Sequence, residues 1–338
     1  MFEIKHTLCP SCSVGCGINV ILDSEEIVGT FPYKRHPINE GKNCSNGRSS
    51  IETVEEKLTF DSKALDEVVG KLKSAENEKV TAIFSGNNSN EDLEAIKSLC
   101  ESRGFNVLAY YDNLKNFDSV ASYDDVENAS KLFVVGNILY ENPLIGRRIV
   151  RAKKNGAKVY VNDELENTPT ANIADEFTSL TVKEFIDNNN DNFDESSIIV
   201  FNKVDSFEDL ALIESANSKS LPVFSKSNSK GALDLVEAIS KEDALELLNN
   251  TDILLVFNDD VVNEFDFDFK SISQLVAFSP SKNDTTEIAS FVIPIKSWLE
   301  YDGSFTNAEG LTQEFKAVCE SDNMSIAEII DKINGELE

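Results

Sequence analysis

The sequence predicts an α/β protein with a small β-rich unit at its N terminus. After Lys57, short runs of consecutive apolar residues alternate with segments in which apolar residues recur every three or four positions. The runs are typical of strands buried on both faces, and the spaced residues are typical of helices with one apolar face. Such an alternation favours open, largely parallel sheets covered by helices on both faces. Before Lys57, two short strands around a polar turn indicate the β-rich unit.

In the β-rich unit, strands are predicted at 18–22 and 26–31, around the polar segment DSEE. Cys9, Cys12 and Cys16 precede the first of these strands. The two strands would bring Cys44 back beside those three thiols, although it lies far along the chain.

The α/β part begins with a helix whose predicted apolar face contains Leu65, Val68, Val69 and Leu72. The apolar stripe of the next helix contains Leu93, Ile96 and Cys100, so the Cys100 side chain is expected in the core. A third helix is predicted to start near Pro143. Strands are predicted at 80–84, 106–111, 132–137, 158–163, 198–201, 222–224, 253–257, 275–278 and 291–293.

Two segments predict less regular structure. The polar stretch 186–197 is typical of a surface loop. In the segment 262–270, Phe265, Phe267 and Phe269 alternate with aspartates. This alternation predicts an edge strand or loop with one apolar face tucked in, and a docking surface is the alternative.

The charge of the chain limits its partners. Sixty acidic residues against 31 basic residues give a net charge of −29. Nucleic acid and anionic lipid surfaces both require basic patches, so neither is an expected partner. No apolar run approaches the ~20 residues that a membrane span needs, and the start MFEIKHTLCP resembles no secretory signal. We therefore expect a cytoplasmic protein without a membrane span.

The cysteine spacing predicts a metal site. In the reducing cytoplasm, clustered cysteines indicate metal ligands rather than disulfides. Structural zinc usually uses paired knuckles or cysteines with histidines, whereas His6 and His36 are the only histidines of this chain. A [4Fe–4S] cluster takes four thiolates, three of them often from one tight loop. The pattern therefore predicts a [4Fe–4S] cluster bound by Cys9, Cys12, Cys16 and Cys44. Zinc on the same residues is the alternative.

Segments at both ends of the chain resemble one family. CPSCSVGCG and KRHPINEGKNC, at 9–17 and 34–44, resemble the cluster domain of molybdopterin (molybdenum or tungsten) oxidoreductases, in particular the catalytic subunit of methanogen-type formate dehydrogenases. NDTTEIASFVIPIKSWLEYDGSFTNAEGLTQEF, at 283–315, resembles the closing motif of that family. FVVGNILYENPLIGRRIVRAKKNGAKVYVND, at 133–163, resembles the segment that meets a pterin nucleotide. The chain is also similar to one subunit of formylmethanofuran dehydrogenases and to the C-terminal half of the large iron–sulfur subunit of complex I.

The resemblance implies an organisation of domains. A [4Fe–4S] domain at 1–57 would be followed by two Rossmann-like α/β/α domains, of which the second is inserted in the first. The split domain would comprise 58–115 and 245–338, and the insert 116–244.

The resemblance also implies positions for a pterin nucleotide: Gly136, Asn137, Asp163, Asn307 and Glu309. Each has a structural alternative. A tight turn after a strand needs a glycine in any case, an aspartate can simply cap a loop, and the segment DGSFTNAEG can be a structural turn.

The sequence departs from the family where its catalytic metal is bound. No cysteine or histidine follows the strand predicted at 106–111 at the expected place, which leaves only Asp112 or Ser119 as ligands of a catalytic metal. Asn46 stands where the family has a lysine between cluster and pterin, with Arg48 close by. The chain also stops soon after the closing motif, and the further domain of full catalytic members resides on a separate subunit in formylmethanofuran dehydrogenases.

Two hypotheses follow. The first is a [4Fe–4S] electron-transfer or scaffold subunit of a redox complex, derived from a molybdopterin oxidoreductase and without its own catalytic metal ligand. Its partners would be other iron–sulfur or flavin subunits in a hetero-complex. The alternative is a pterin-dependent formate or formyl-group oxidoreductase subunit, with tungsten or molybdenum on molybdopterin guanine dinucleotide, completed by a partner. An assembly or regulatory protein is a third possibility.

Overall fold

The computed structural model describes residues 2–24, 26–51, 58–59, 62–109, 115–117, 119–204 and 206–337. The strands are β1 (Phe2–Leu8), β2 (Gly17–Asp23), β3 (Glu26–Pro32), β4 (Val80–Ile83), β5 (Asn106–Leu108), β6 (Lys131–Val135), β7 (Lys158–Asn162), β8 (Glu176–Thr178), β9 (Ser197–Phe201), β10 (Lys219–Pro222), β11 (Ile253–Phe257), β12 (Gln274–Ser279), β13 (Phe291–Pro294), β14 (Gly303–Thr306) and β15 (Thr312–Phe315). The helices are α1 (Ser45–Ser49), α2 (Ser62–Ser74), α3 (Asn90–Arg103), α4 (Tyr123–Asn128), α5 (Ile138–Glu141), α6 (Pro143–Lys154), α7 (Val182–Asn189), α8 (Phe207–Ser215), α9 (Ser229–Leu235), α10 (Lys241–Asn249), α11 (Asp284–Ile288) and α12 (Ile326–Leu337).

Two parallel sheets form the α/β part. The first has the strand order β13-β12-β11-β4-β5, and so joins strands from both ends of the α/β part. The second has the order β10-β9-β6-β7-β8 and is built only from the chain between them. Every pairing in both sheets is parallel. The α/β class with parallel sheets is confirmed, while the domain boundaries predicted above stay predictions.

A three-stranded antiparallel sheet, β1-β2-β3, forms the N-terminal unit. Its central strand β2 is buried, because Ile18, Val20 and Leu22 pack into the same apolar core as the cysteine loop. The two strands predicted here from sequence are confirmed as β2 and β3. The first strand, β1, is not among the strands predicted above, although FEIKHTL alternates apolar and polar residues as a strand does.

The predicted helical faces are buried. Leu65, Val68, Val69 and Leu72 of α2 pack on the first sheet. Cys100 on α3 is 1% exposed in the same core, as its helical stripe predicted. Phe265 and Phe269 are also buried, and Phe267 packs against the same cluster, so the prediction that this segment tucks in one apolar face is confirmed.

Some predicted boundaries are wrong. The stretch 186–197 is not a surface loop throughout, because α7 continues through it to Asn189, and both Ile186 and Asn189 are buried. Ile186 and the preceding Phe185 give α7 an apolar face that the run of asparagines obscures in the sequence. The strand predicted at 222–224 lies earlier, as β10, and the strand predicted at 106–111 ends at Leu108, with 110 and 111 outside the described residues.

None of the helices in the described part of the chain is long and apolar enough to cross a bilayer.

Candidate cluster site

The three N-terminal cysteines lie on the turn between β1 and β2. Leu8 pairs with Gly17 at the end of the hairpin, and the N–H of Cys9 donates to the carbonyl oxygen of Cys16 at 2.8 Å. These bonds hold the first and third thiols at the base of one loop. Gly15 turns the loop with φ +74, and a Cβ there would lie 2.0 Å from the amide oxygen of Gln313. The left-handed conformation favours glycine, and a Cβ would also lie 2.9 Å from the Cβ of Asn307.

Ser13 anchors the cysteine loop to the α/β part. Its N–H donates to the carbonyl oxygen of Phe224 at 3.1 Å, and its hydroxyl accepts from the N–H of Phe224 at 2.8 Å. Its own carbonyl oxygen accepts from the N–H of Ala308 at 2.7 Å. Below the loop, the hydroxyl of the buried Tyr123 donates to the carbonyl oxygen of Val14 at 3.0 Å. The loop is therefore held by residues far away in the sequence.

Asn39 binds the segment before Cys44 to the end of the cysteine loop. Its side-chain amide accepts from the N–H of Gly17 and donates to the carbonyl oxygen of Gly17, each at 2.9 Å, and it is fully buried. Cys44 follows as the N-cap of α1, and its sulfur accepts from the N–H of Gly47 at 3.3 Å. A Cβ on Gly47 would lie 2.1 Å from the Asn43 side chain and 3.4 Å from the Cys9 sulfur. The absence of a side chain at Gly47 therefore lets α1 pack closely against Asn43 and Cys9.

The four thiols line one cavity. The cavity is closed on its other side by the residues at the start of α6, Asn142, Pro143 and Leu144. Burial raises the pKa of the Cys9 thiol and raises the pKa of Cys12 to about 12. Burial, followed by the neighbouring thiols, also raises the pKa of Cys16 well above its usual range, while the Arg148 guanidinium opposes this rise. A metal group bound here must displace the thiol protons, so binding is coupled to proton release.

The donor set fits a [4Fe–4S] cluster, since four cysteine sulfurs face the same cavity and a thiolate can bind each iron. Among the described residues, no three His, Cys, Asp or Glu side chains are grouped closely enough to hold a single metal ion. Zinc draws its thiolates to about 2.3 Å from one centre. A cluster instead spaces the thiolates by its own iron and sulfide atoms, which suits ligands distributed around a cavity.

Helix α6 brings positive charge towards the cysteine loop. The side chain of Arg148 is 9% exposed and donates to Asp124 and Glu127, each at 3.2 Å, and to the carbonyl oxygen of Ile38 at 3.3 Å. On the next turn, Arg151 donates to Glu40 at 2.6 Å. Bonds to Arg151 and then to Arg147 lower the pKa of Glu40 to about 2. These ion pairs join the N-terminal unit to α6.

Two clefts flank the cysteine loop, one at the carboxyl end of each parallel sheet. The larger, of about 530 Å³, is lined by Cys12, Asn46 and residues that follow β9 and β10, together with the segment from Leu139 to Pro143. The smaller, of about 310 Å³, lies between Ser11 and the loops after β4, β11 and β12. Such crevices are the usual ligand sites of open parallel sheets.

Gly136, Asn137 and Asp163 lie together at the carboxyl end of the second sheet. Gly136 has φ +93, and a Cβ there would lie 2.2 Å from the amide oxygen of Asn202. The Asn137 amide oxygen accepts from Thr170 at 2.9 Å. The Asp163 carboxylate accepts from the N–H of Glu164 at 2.8 Å and from Thr168 at 3.0 Å. The side chains of Asn137 and Asp163 are therefore already hydrogen-bonded within the protein. Their assignment to a nucleotide stays a prediction.

Asn307 and Glu309 lie elsewhere, beside the cysteine loop. The buried Asn307 accepts from the N–H of Leu311 at 2.8 Å, and Glu309 accepts from the N–H of Tyr123 at 2.7 Å, the first residue of α4. Neither residue lines the two clefts described above. Their contact with a nucleotide stays a prediction, and both side chains already accept hydrogen bonds from backbone N–H groups of the protein.

The structure describes only one of the two alternative metal ligands. Asp112 lies outside the described residues, and Ser119 is exposed and lines neither cleft. Asn46 lines both the cluster cavity and the larger cleft, whereas the exposed Arg48 lines neither. Cys319 donates to the carbonyl oxygen of Leu299 at 3.6 Å and does not line the cavity of the four thiols.

Residues that the sequence analysis missed include Asn142, Arg148 and Asn202. Asn142 and Asn202 line the larger cleft, and Arg148 is buried beside the loop. An arginine on the apolar stripe of α6 was the available signal for Arg148, because burial of a cation requires partners. Nothing local distinguishes the two asparagines, which meet only through the fold.

The sequence of this chain is similar to a known domain family and to two formate dehydrogenase subunits. Residues 2–56 match the molybdopterin oxidoreductase Fe4S4 domain. The chain is 31% identical over 211 residues to F420-dependent formate dehydrogenase 1 subunit alpha of Methanococcus maripaludis, which covers 53% of this chain and 31% of the relative. The corresponding subunit of Methanocaldococcus jannaschii is 30% identical over 209 residues, with 53% and 31% covered. The chain therefore spans about a third of the length of these relatives.

Two solved structures share the fold. Acetylene hydratase from Pelobacter acetylenicus matches with a TM-score of 0.65 and 13% identity, over 98% of this chain and 69% of the other. A chain of the formyltransferase/hydrolase complex of Methylorubrum extorquens, in complex with methylofuran, matches with a TM-score of 0.56 and 11% identity, over 81% of this chain and 95% of the other.

Proposed function

We propose that this chain, which carries a molybdopterin oxidoreductase Fe4S4 domain at residues 2–56, is a one-cluster electron-transfer and scaffold subunit of a redox complex. The observation that carries the proposal is the convergence of four thiols on one cavity, with Cys12 also lining an open cleft. A bound cluster would therefore be enclosed by protein and approachable from the Cys12 side.

The residues around the cavity suit a centre that changes charge by one electron. A [4Fe–4S] cluster supplies that redox change when it is bound. The N–H of Gly47 donates to the sulfur of Cys44, and Arg148 contributes a buried positive charge near Cys16. Both interactions stabilise negative charge on the thiolates. The apolar side chains of Val14 and Leu144 line the cavity and limit the access of water.

The clefts fit an anionic pterin dinucleotide poorly. Proteins bind such phosphates with cationic side chains or free backbone N–H groups. Among the described residues that line the two clefts, none is lysine or arginine, whereas Glu141, Asp259 and Asp260 contribute carboxylates. Lys226 reaches Asp259 at 3.1 Å, but it also pairs with Glu264 at 2.7 Å, so one cation serves two acids. This lining favours the role without a pterin.

A second candidate is a pterin-dependent formate or formyl-group oxidoreductase subunit completed by a partner. The position of the clefts favours it, since both lie at the carboxyl ends of parallel sheets and both reach Ser11 of the cysteine loop. The named relatives include the alpha subunit of a formate dehydrogenase. Under either candidate the chain acts within a hetero-complex, and the net charge of −29 disfavours association with further copies of itself.

The isolated chain is expected to show no formate-dependent reduction of viologen dye. The reason is that no histidine is among the described residues that line the clefts, so the clefts contain no cysteine–histidine pair to bind a catalytic metal. The assay is anaerobic dye reduction by the purified, cluster-loaded chain, with a Cys12→Ala variant as the background control. Formate-dependent turnover clearly above that control would favour the pterin-dependent candidate and contradict the proposal.

A further inference from the structure

The charge of the N-terminal unit differs from that of the rest of the chain. Residues 1–51 contain five acidic and five basic residues, so the net charge of −29 arises entirely from the residues that follow. Within the unit, Glu3, Asp23 and Glu26 lie at one end of the three-stranded sheet. After Glu26, the unit contains four basic residues and one acidic residue, Glu40. The part of the unit that carries Cys44 is therefore its basic part.

Four exposed cations lie on the segments around Cys44. We call them the basic patch, and they are Lys34, Arg35, Lys42 and Arg48. A Cβ on Gly41 would lie 3.1 Å from the Cα of Lys34, so the turn after β3 lies against the segment that contains Lys42. The hydroxyl of Thr30 donates to the carbonyl oxygen of Arg48 at 3.2 Å, which holds the end of α1 against β3. The fold therefore brings these segments together beside Cys44.

No ion pair neutralises the basic patch in the part of the chain that the structure describes. Glu40 is the acidic residue between Arg35 and Lys42, but its carboxylate accepts from Arg147 at 2.8 Å and from Arg151 at 2.6 Å. Two arginines of α6 therefore share this carboxylate, and it supplies no counter-charge to the patch. A surface with uncompensated positive charge attracts anionic partners.

The basic patch lies beside one of the more accessible cluster ligands. Cys9 and Cys16 are buried, whereas Cys12 and Cys44 are partly exposed. Cys12 lines the larger cleft. Cys44 begins α1, and the exposed Asn46 of the same helix lines the cluster cavity. A partner that binds the patch would therefore lie next to a cluster ligand, with only short side chains of α1 between them.

We propose that the basic patch is the docking surface for an acidic electron-carrier protein, which exchanges one electron with the cluster beside Cys44. The proposal rests on the proposed function, because it requires a [4Fe–4S] cluster on the four thiols. In the exchange, the carrier loses the electron that the cluster gains, or the reverse, and no covalent bond forms or breaks.

The charge distribution favours a small acidic protein as the occupant. The acidic α/β part repels such a carrier, which restricts its approach to the patch and fixes its orientation. Screening over about 8 Å at physiological ionic strength lets the cations in contact outweigh the distant acidic residues. A long polyanion such as nucleic acid would also meet the acidic surface around the patch, whereas a small protein need not.

The test is the rate of electron exchange between the cluster-loaded chain and a small acidic ferredoxin, measured by anaerobic stopped-flow absorbance. The protein with the lower midpoint potential is reduced beforehand. The variant combines Lys34→Glu with Arg35→Glu. At about 0.01 M salt, we expect its second-order rate constant to fall about tenfold, with the iron content and midpoint potential of the wild type. The matched control combines Lys71→Glu with Lys73→Glu, at exposed lysines of α2, and should react at nearly the wild-type rate.

The dependence of the wild-type rate on salt is a second readout. Docking at the basic patch predicts that the rate falls as salt rises, and that the variant and the wild type converge at about 1 M salt, where screening acts over about 3 Å. Encounter governed by the net charge of −29 predicts the opposite sign, because salt would weaken the repulsion between two acidic proteins. A wild-type rate that rises with salt would therefore contradict the docking surface.

Iron content separates failure of the docking surface from failure of the proposed function. If the wild-type chain binds no cluster, the proposed function fails, and the docking surface fails with it. If all three proteins contain the same iron and react with the ferredoxin at equal rates, the docking surface is wrong while the proposed function stands. Binding of duplex DNA by the wild type at physiological salt, lost in the variant at positions 34 and 35, would also overturn the proposal, because the patch would then serve a nucleic acid.

Discussion

Protein with the substitution Cys44→Ala is expected to contain no [4Fe–4S] cluster. A cluster needs its four thiolates, and Cys44 is the only one that the chain supplies from outside the turn between β1 and β2. The substitution also removes the acceptor of the Gly47 N–H at the start of α1. The expected iron content falls from about four per chain to near zero after anaerobic reconstitution. The measurement is iron and sulfide analysis with the visible absorption spectrum.

Cys100→Ala is the matched control for this experiment. Cys100 is 1% exposed on α3, in the core of the first sheet, and it does not line the cluster cavity. This variant should therefore retain the iron of the wild type and lose only some stability from a small buried side chain. Equal loss of iron in the two variants, or full iron in Cys44→Ala, would contradict the assignment of the ligands.

Phe133→Ala is expected to cost about 3–5 kcal/mol in the free energy of unfolding. Phe133 is fully buried on β6, with its ring stacked on Tyr160 at 4.7 Å and edge-on to Phe193 at 4.5 Å between ring centroids. Strands β7 and β9 flank β6 in the second sheet, so the surrounding backbone cannot close the cavity cheaply. Urea unfolding followed by circular dichroism measures the change.

A suitable control is Phe2→Ala, at a phenylalanine that is 70% exposed on β1. Its effect should stay within about 0.5 kcal/mol, as is usual for surface substitutions. A similar loss of stability in both variants would show that the aromatic cluster around Phe133 does not hold the second sheet as described.

The sequence predicts the buried strands well because their signal is local. The apolar run at 253–257 coincides with β11, and the helix near Pro143 begins at that proline. The cysteine spacing likewise predicts a site whose ligands lie mostly in one loop. Strand β8, the hairpin β14-β15 and the helical part of 186–197 escape prediction, because their short or polar segments take their conformation from contacts with the rest of the fold.

The surroundings of the site are less predictable than its ligands. Ser13, Asn39 and Asn142 are small polar residues whose roles depend on partners far along the chain, such as Phe224 and Asn202. The resemblance to a family points instead to Asn307 and Glu309, which the structure shows accepting from the backbone N–H groups of Leu311 and Tyr123. A polar residue can be identified in a sequence, but its hydrogen-bond partner is set by the tertiary structure.

The most direct test of the central claim is a metal and nucleotide analysis of the wild-type protein, purified without exposure to air. The account predicts about four irons and four sulfides per chain, bound by Cys9, Cys12, Cys16 and Cys44, with neither molybdenum nor tungsten and no guanine nucleotide released on denaturation. One zinc per chain without iron would contradict the cluster. Stoichiometric molybdenum or tungsten together with guanine nucleotide would contradict the role of an electron-transfer subunit without a pterin.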